Sequence, residues 1–278
     1  MDHFPGTHWG KPRDETFDSY ATFPIHAHRP KADAFADGVQ RTKQPIVTGA
    51  SVLALKYKDG IMLAADTLAS YGSLARFKDV ERIHPVGEYT VVGASGDMSD
   101  FQELQHILET LLVEEFVQDD GHQLGPSEIY EYLSRLMYGR RSKMNPLWNA
   151  LLVGGFKDGK SFLGYVDLLG TTYSASTLAT GYGAYIAQPL LRKSVEGNET
   201  TLTEEEATKI METCLKVLFY RDARSLNKAC DCFDHRLSHL MFQIATVTAQ
   251  GVNISESRSV QTEWKFAEGI RGYGAQIQ

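Results

Sequence analysis

The sequence predicts an α+β fold built from stacked layers. Short alternating or continuous apolar runs, typical of strands, occur early in the chain, in its middle and near its end. Pairs of segments with helical spacing of apolar residues separate these groups of strands. That segregation favours stacked layers over a doubly wound parallel sheet. With 278 residues, 42% of them hydrophobic, the chain can bury a substantial core in one domain.

The first 44 residues show no persistent helical or strand period. They are interrupted by four prolines, Pro5, Pro12, Pro24 and Pro30. Their four histidines are irregularly spaced, which argues against a metal site. We therefore interpret this stretch as a disordered or loosely ordered leader.

An opening hairpin follows the leader. Ser51–Tyr57 alternates in the manner of a strand, Lys58-Asp59-Gly60 is a turn signal, and Ile61–Ala65 is a continuous apolar run expected of a strand buried on both faces. Asp66 stands at the end of this second strand. Such an aspartate is more commonly a turn residue that caps its own backbone. The alternative is a site residue at a strand end.

A strand and two helices come next. Thr90–Ala94 is expected to be a buried strand, after which Ser95-Gly96-Asp97 turns the chain into a helix with apolar spacing from Asp100. A second helix is predicted to start near Pro126, a favoured first-turn residue. It ends at Arg140-Arg141, which suits a helix C-terminus.

Three further strands are predicted, at Leu147–Phe156, Ser161–Asp167 and Thr172–Leu178. Gly181-Tyr182-Gly183 then opens a third helix that runs through Leu190. These glycines match half of a dinucleotide-binding fingerprint, but an isoleucine stands where its third glycine would fall. No phosphate site is therefore predicted.

A long helix and two strands close the domain. Thr203 and Glu206 form a capping box at the helix start. The predicted inward stripe is Ile210, Cys214, Val217 and Leu218, in which Cys214 is a small buried apolar residue rather than a nucleophile. The closing strands are Phe242–Thr248 and Val252–Ser255.

Composition narrows the function classes. The formal net charge is −7 and no basic stripe is visible, which disfavours nucleic acid as a partner. No run approaches the ~20 apolar residues of a membrane span, and the N-terminus lacks a secretory signal. Three sparse cysteines suit a reducing compartment better than a disulfide framework. We expect a soluble intracellular protein.

From Thr42 onward the sequence resembles the proteasome beta subunits. The opening hairpin that ends in Ala64-Ala65-Asp66 carries the resemblance, and several later runs continue it: YGSLARF, GASGD, RRSKMNPLWN, SFLGYVD, LATGYGAY, QPLLR and YRDARS. RRSKMNPLWN above all is typical of one particular position in the beta ring. The resemblance implies a four-layer αββα sandwich, two antiparallel sheets between helix layers, known as the N-terminal-nucleophile hydrolase fold.

The resemblance also implies a degenerate catalytic site. In active relatives the nucleophile is a threonine that begins the mature chain, its own α-amino group acts as base, and a lysine lies nearby. The threonine position is Ala50 here, and a methyl group cannot attack a carbonyl. The lysine position is Arg82, which is not an equivalent residue.

Other positions of that site are partly kept. Asp66 matches the first family aspartate. Asp222 and Ser225 match the second aspartate and the serine beside it. Tyr182 stands where active relatives have another serine. We interpret Asp66 and Arg82 as a residual ion pair with a structural role. Helix capping and loop fixation are the favoured roles of Asp222 and Ser225.

An insertion departs from the family pattern. About 13 extra residues, the segment 229–241, stand where the family's helix runs almost directly into the next strand. Its residues Cys230, Cys232, His235 and His239 are a weak candidate zinc site, because the Cys-x-Cys spacing is tight and no partner knuckle follows. A surface loop or an unspliced segment is the favoured interpretation.

The implied organisation is a propeptide at 1–41, removed near Arg41 and Thr42, a beta-type domain at 42–255 and a contact arm at 256–278 that reaches the opposite ring. The implied function is a non-catalytic structural and assembly subunit of the 20S core particle, in ATP- and ubiquitin-dependent protein degradation. Its partners would be other alpha and beta subunits in a four-ring hetero-oligomer, together with assembly chaperones.

No cofactor, nucleic acid or membrane is expected, and the implied location is cytoplasm and nucleus. Two alternatives remain: an active threonine-type endopeptidase of the same fold, and a free-standing hydrolase that uses Ser51.

Overall fold

The computed structural model describes residues 44–118, 121–225 and 242–263. Within these ranges the chain forms thirteen strands and five helices: β1 (Val47–Gly49), β2 (Val52–Tyr57), β3 (Gly60–Asp66), β4 (Ala69–Tyr71), β5 (Leu74–Phe77), β6 (Ile83–Val86), β7 (Thr90–Asp97), α1 (Met98–Gln118), α2 (Pro126–Ser142), β8 (Asn149–Lys157), β9 (Lys160–Val166), β10 (Thr172–Ser174), β11 (Thr177–Ala179), α3 (Gly183–Ile186), α4 (Gln188–Val195), α5 (Glu204–Arg221), β12 (Phe242–Thr248) and β13 (Gly251–Ile254). The predicted leader and the inserted segment lie outside the described residues.

The strands form two antiparallel sheets. The first sheet has the order β10-β9-β8-β7-β1-β4-β5, and β6 also pairs with β7. The second sheet has the order β11-β2-β3-β12-β13. The short strand β1 therefore lies inside the first sheet, and the chain passes to the second sheet between β1 and β2.

Three apolar clusters separate four layers. One packs α1 and α2 against the first sheet, one lies between the two sheets, and one packs α4 and α5 against the second sheet. The two faces of β2 serve different clusters, because Leu53 and Leu55 face the helices whereas Val52 and Ala54 face the other sheet. The predicted four-layer αββα sandwich is confirmed.

Two glycines allow the sheets to approach closely. A Cβ atom on Gly93 of β7 would lie 2.8 Å from Val52 Cγ1. A Cβ atom on Gly154 of β8 would lie 2.7 Å from Leu63 Cδ1 and 3.1 Å from Ile61 Cγ2. Side chains at these positions would have to push the second sheet away, so the intersheet distance depends on both glycines.

Several predicted boundaries were wrong. The segment predicted as one strand from Thr172 to Leu178 is two strands, because β10 pairs with β9 in the first sheet and β11 pairs with β2 in the second. The predicted third helix divides into α3 and α4 around Ala187. Proline at position 189 has no amide hydrogen to continue a helix from α3.

The start of α1 also differs from the prediction. Ser95-Gly96-Asp97 remains in β7 rather than forming a turn, and the helix begins at Met98. The Asp97 carboxylate accepts hydrogen bonds from the amides of Ser99 at 2.8 Å and Asp100 at 3.3 Å. It thereby satisfies two of the amides left free at a helix N-terminus, and the strand passes directly into the helix.

The last long helix follows its predicted cap. Glu206 N donates to Thr203 Oγ1 at 3.4 Å, and Thr203 N donates to Glu206 Oε2 at 3.1 Å. Its buried stripe is rotated from the predicted one, and contains Ala207, Met211, Cys214, Leu215, Leu218 and Phe219. Burial raises the pKa of the Cys214 thiol to about 12, which makes it unreactive near neutral pH.

The first residues of the predicted contact arm belong to the domain. Arg258 N donates to Phe242 O at 2.9 Å, and Phe242 N donates to Arg258 O at 3.1 Å. Val260 packs against the cluster beneath α5, and Glu263 N donates to the Tyr220 hydroxyl at 2.7 Å. None of the helices in the described ranges is long and apolar enough to cross a membrane.

Gly154→Ala should destabilise the chain by about 1–3 kcal/mol, because the added methyl group overpacks the space between the sheets. The matched control is Gly139→Ala in α2, where a Cβ atom would meet nothing within 4 Å. That variant should gain about 0.5–1 kcal/mol from helix propensity. Urea unfolding of the purified full chain measures both free energies. Equal stability of the two variants would contradict the close packing inferred here.

Candidate functional site

A cleft of about 330 Å³ lies where the chain crosses from the first sheet to the second. It is lined by the end of β1, the end of β7, the start of β8 and the loops before α3 and after α5. Three of the predicted site residues line it: Ala50, Tyr182 and Asp222. The fold therefore gathers residues that are far apart in sequence.

Ala50 lies in the middle of a continuous chain. On its N-terminal side, β1 is antiparallel to both β4 and β7, with Gly49 opposite Ala69 on one side and Gly96 on the other. On its C-terminal side, β2 starts at Val52. Residue 50 therefore offers a methyl side chain and an amide nitrogen, rather than a hydroxyl and a free amine.

The Arg82 side chain is fully buried beside this crossing point. Nη1 forms an ion pair with the Asp66 carboxylate and also donates to the Asp66 carbonyl at 3.3 Å. Nη2 donates to the carbonyls of Ala50 and Ser51, the latter at 3.2 Å. The predicted ion pair is therefore present, and the same guanidinium also binds the backbone around position 50.

Arg82 also binds the first sheet. Nε and Nη2 donate to the Ala94 carbonyl in β7 at 3.3 Å and 3.2 Å. In return, Ala94 N donates to the Arg82 carbonyl at 2.9 Å. Because Asp66 ends β3 and Ser51 precedes β2, one side chain contacts both sheets.

Two opposing effects act on the charge of Arg82. Burial lowers its pKa, whereas the nearby carboxylates of Asp66 and Asp222 raise it. A guanidinium keeps its proton far above neutral pH, and we take Arg82 to be charged at neutral pH. A buried charge of this kind is tolerated when it is paired and its donors are satisfied.

Gly49 leaves the space that the guanidinium occupies. A Cβ atom at position 49 would lie 2.4 Å from Arg82 Nε and 2.9 Å from Cζ. Any larger residue would displace a buried charged group from its acceptors. The residue before Ala50 is therefore constrained by Arg82.

Asp222 and Ser225 have local structural contacts. Asp222 is the C-cap of α5 and is buried, and its carboxylate accepts a hydrogen bond from Arg224 N at 2.9 Å. Ser225 N donates to the Asp222 carbonyl at 3.2 Å. These contacts fit the predicted capping and loop-fixing roles.

Tyr182 and Ser51 both lie at the start of α3. Tyr182 is exposed at the helix N-cap. Ser51 is buried, and its hydroxyl accepts a hydrogen bond from Gly183 N at 2.8 Å. This geometry gives the Ser51 hydroxyl a capping role, which argues against its use as a nucleophile.

A polar network that the sequence analysis missed supports the opposite wall of the cleft. Asn149 Nδ2 donates to the carbonyls of Ser95 at 3.1 Å and Asp97 at 2.8 Å. Asp97 Oδ2 accepts from Ile46 N at 2.7 Å, which attaches the segment before β1 to this wall. An aspartate at a predicted strand-to-helix junction is the signal that could have indicated the cap, but not its bond to Ile46.

The described residues contain no group of three or more histidine, cysteine, aspartate or glutamate side chains placed to hold a metal. The weak zinc candidates Cys230, Cys232, His235 and His239 lie outside the described residues, as do Arg41 and Thr42.

Comparison with known proteins reveals extensive similarity. The family model described as "Proteasome subunit" matches residues 46–230. Proteasome subunit beta type-4 of Xenopus laevis is 49% identical over 238 residues, which cover 86% of this chain and 93% of that protein. The probable proteasome subunit beta type-7 of Schizosaccharomyces pombe is 48% identical over 273 residues, 96% of each chain. The Saccharomyces cerevisiae beta type-7 subunit is 44% identical over 286 residues, 99% of each.

Asp66→Asn should destabilise the chain by about 3–5 kcal/mol, because it leaves the buried Arg82 charge without its counter-ion. The matched control is Glu131→Gln, which removes the partner of Arg135 in an exposed pair whose side chains are 80% and 59% accessible. That change should cost at most about 0.5 kcal/mol. Denaturant unfolding of both variants measures the difference. A loss below 1 kcal/mol for Asp66→Asn would refute the structural role of this pair.

Proposed function

Because this chain belongs to the proteasome subunit family, we propose that it serves the core particle as a structural and assembly subunit without peptidase activity of its own. As a family member it assembles with other subunits into a multi-subunit proteasome. We further propose that its partners are alpha and beta subunits in a four-ring particle and that it acts in cytoplasm and nucleus.

The single observation that carries the non-catalytic proposal is the geometry at position 50. A threonine-type peptidase needs a hydroxyl and a freed amine on one residue. Ala50 has no hydroxyl, its nitrogen is an amide that follows β1, and its carbonyl accepts a hydrogen bond from Arg82. The nucleophilic hydroxyl is therefore absent, and the amine is not free in the continuous chain.

The runner-up is an active threonine-type endopeptidase of the same fold. Asp66, Asp222 and Ser225 are compatible with it, but their contacts support the backbone and Arg82 rather than a reactive group. Arg82 cannot take the place of a lysine, because its fork of donors is already directed at carbonyls on both sheets, those of Asp66 and Ala94. This argument favours the structural subunit.

The position of β1 supports removal of the leader well before Ala50. Val47–Gly49 fills the gap between β4 and β7, so a chain that began at Ala50 would leave two strand edges unpaired. Ala50 also excludes self-cleavage. We propose that another subunit cuts the chain near Arg41 and Thr42.

We also propose that the C-terminal arm contacts the opposite ring. The first part of the arm packs on the domain itself, through Arg258, Val260 and Glu263. The contact with the opposite ring would therefore be made by residues beyond 263.

Tagged chain purified from its own cells should elute at a native mass many times its own 31.0 kDa. Intact mass spectrometry of that material should give an N-terminus near Thr42, since β1 requires the residues before Ala50. A monomeric mass would overturn the assembly role. A chain that began at Ala50, or that retained the whole leader, would overturn cleavage by a neighbour.

Ala50→Thr should not create a peptidase. The restored hydroxyl would follow β1 in an uncut chain, and Arg82 would still bind the carbonyl of residue 50. Catalytic groups that act as a unit recover little when one member is restored.

The assay is labelling of purified particles with a threonine-directed covalent inhibitor, followed by mass spectrometry of this chain. An active subunit of the same particles is the positive control. Stoichiometric labelling at position 50 would show that the uncut chain and Arg82 do not prevent catalysis.

A further inference from the structure

The turn after α2 holds a methionine in an unfavourable backbone conformation. Met144 has a φ of 54°, in the left-handed region. Met144 N donates to Arg141 O at 3.0 Å, and Asn145 N donates to Arg140 O at 3.1 Å, so this residue closes the helix. Glycine or asparagine is usual at such a position. Methionine therefore stands where the local backbone favours another residue.

The Met144 side chain contributes little to its own domain, because the residue is 79% exposed. Two more exposed apolar residues lie at the same end of α2, Tyr138 at 55% and Leu169 at 49%. Leu169 is placed there by its neighbour Gly170, which packs so tightly on Tyr138 that an added Cβ atom would lie 2.7 Å from Tyr138 Cβ. We call Tyr138, Met144 and Leu169 the α2-end cluster.

The sequence around Tyr138 and Met144 is basic. Residues 132–156 contain four basic residues and no acidic residue, in a chain whose net charge is −7. The Arg141 guanidinium lies 5.5 Å from the Tyr138 ring centroid, and Lys143 is exposed beside Met144. The nearby Asp167 carboxylate is used by the amides of Leu169 at 2.9 Å and Thr171 at 2.8 Å.

Helix capping explains only part of this arrangement. Arg140 and Arg141 in the last turn suit the negative end of a helix dipole. Lys143 and Met144 lie beyond the helix, where glycine would relieve the backbone and no contact within the described ranges requires a long apolar side chain at position 144. Residues kept in a disfavoured conformation are found where a binding function requires them.

We propose that the α2-end cluster docks into a neighbouring proteasome subunit, at an apolar hollow bordered by carboxylates. This inference rests on the proposed function, since it names the surface through which the chain joins its particle. Met144 is the apolar anchor, and Arg141 supplies a charge complementary to an acidic rim. Buried apolar anchors surrounded by polar contacts are the usual centre of such interfaces.

The test is competitive incorporation. Wild-type and variant chains with different tags are expressed in the same cells, and their ratio is measured in the purified particle and in the free pool. Met144→Gly should fall about tenfold in the particle, the size expected for loss of an anchor. Its thermal midpoint as a free chain should equal or exceed that of the wild type, because glycine suits the backbone. Met144→Leu should enter nearly as well as the wild type, and Arg141→Glu should be depleted.

Asp158→Gly is the matched control. Asp158 is the other described non-glycine residue with a positive φ, 52°. It lies in the turn between β8 and β9, next to Lys157, whose Nζ donates to Gln123 O near the start of α2. The 17 residues of α2 separate the two turns by about 25 Å. Asp158→Gly should therefore enter the particle at the wild-type ratio.

The outcomes distinguish the two proposals. If the wild-type chain is absent from the large particle, the proposed function fails. If the wild-type chain is present and Met144→Gly and Arg141→Glu enter equally well, only the docking surface is wrong. A loss of free-chain stability in Met144→Gly that matches its depletion would also overturn docking.

A photo-crosslinking residue at position 144 should link to another proteasome subunit in the intact particle. Linkage only to a second copy of this chain or to an assembly factor would contradict the inference.

Discussion

The buried guanidinium of Arg82 joins the two sheets at the point where the chain crosses between them. It binds the carbonyls of Ala50 and Ser51 at the crossing, the Ala94 carbonyl in the first sheet, and Asp66 at the end of β3 in the second. A guanidinium has five donors in a rigid fork and can serve several carbonyls and one carboxylate at once. An ammonium group in the same space could not reach both sheets with this geometry. The backbone around position 50 is therefore held by the same side chain that joins the sheets.

The same crossing explains why β1 matters to the fold. A strand of three residues would contribute little at the edge of a sheet, but β1 lies between β4 and β7 and connects the β4–β5 hairpin to the rest of its sheet. Ile46 extends this attachment through its hydrogen bond to Asp97. The segment that precedes residue 50, and makes its nitrogen an amide, is thus also part of the sheet.

Polar residues around the cleft form hydrogen bonds that support the local backbone. Ser51 accepts a hydrogen bond from Gly183 at the start of α3, and Asp222 caps α5 and holds the following turn. Such contacts satisfy buried polar groups that would otherwise destabilise the fold. These contacts give each of these residues a structural role in the fold.

The sequence determined the strand alternation of the opening hairpin, the capping box at Thr203 and the loss of the nucleophile at Ala50, because each depends on residue type and local spacing. The family motifs supplied the four-layer arrangement. Tertiary structure alone decided that the segment after Ser174 moves from one sheet to the other, that β1 is inserted between β4 and β7, and that Asp97 binds Ile46. These features depend on which strand edges and hydrogen-bond acceptors come together in the folded chain. The residues involved are far apart in sequence, so local sequence patterns do not predict their contacts. The ion pair of Asp66 and Arg82 was predicted from the sequence, but the contacts of Arg82 with four backbone carbonyls, in both sheets and at the crossing between them, exist only because folding buries that side chain where the sheets meet.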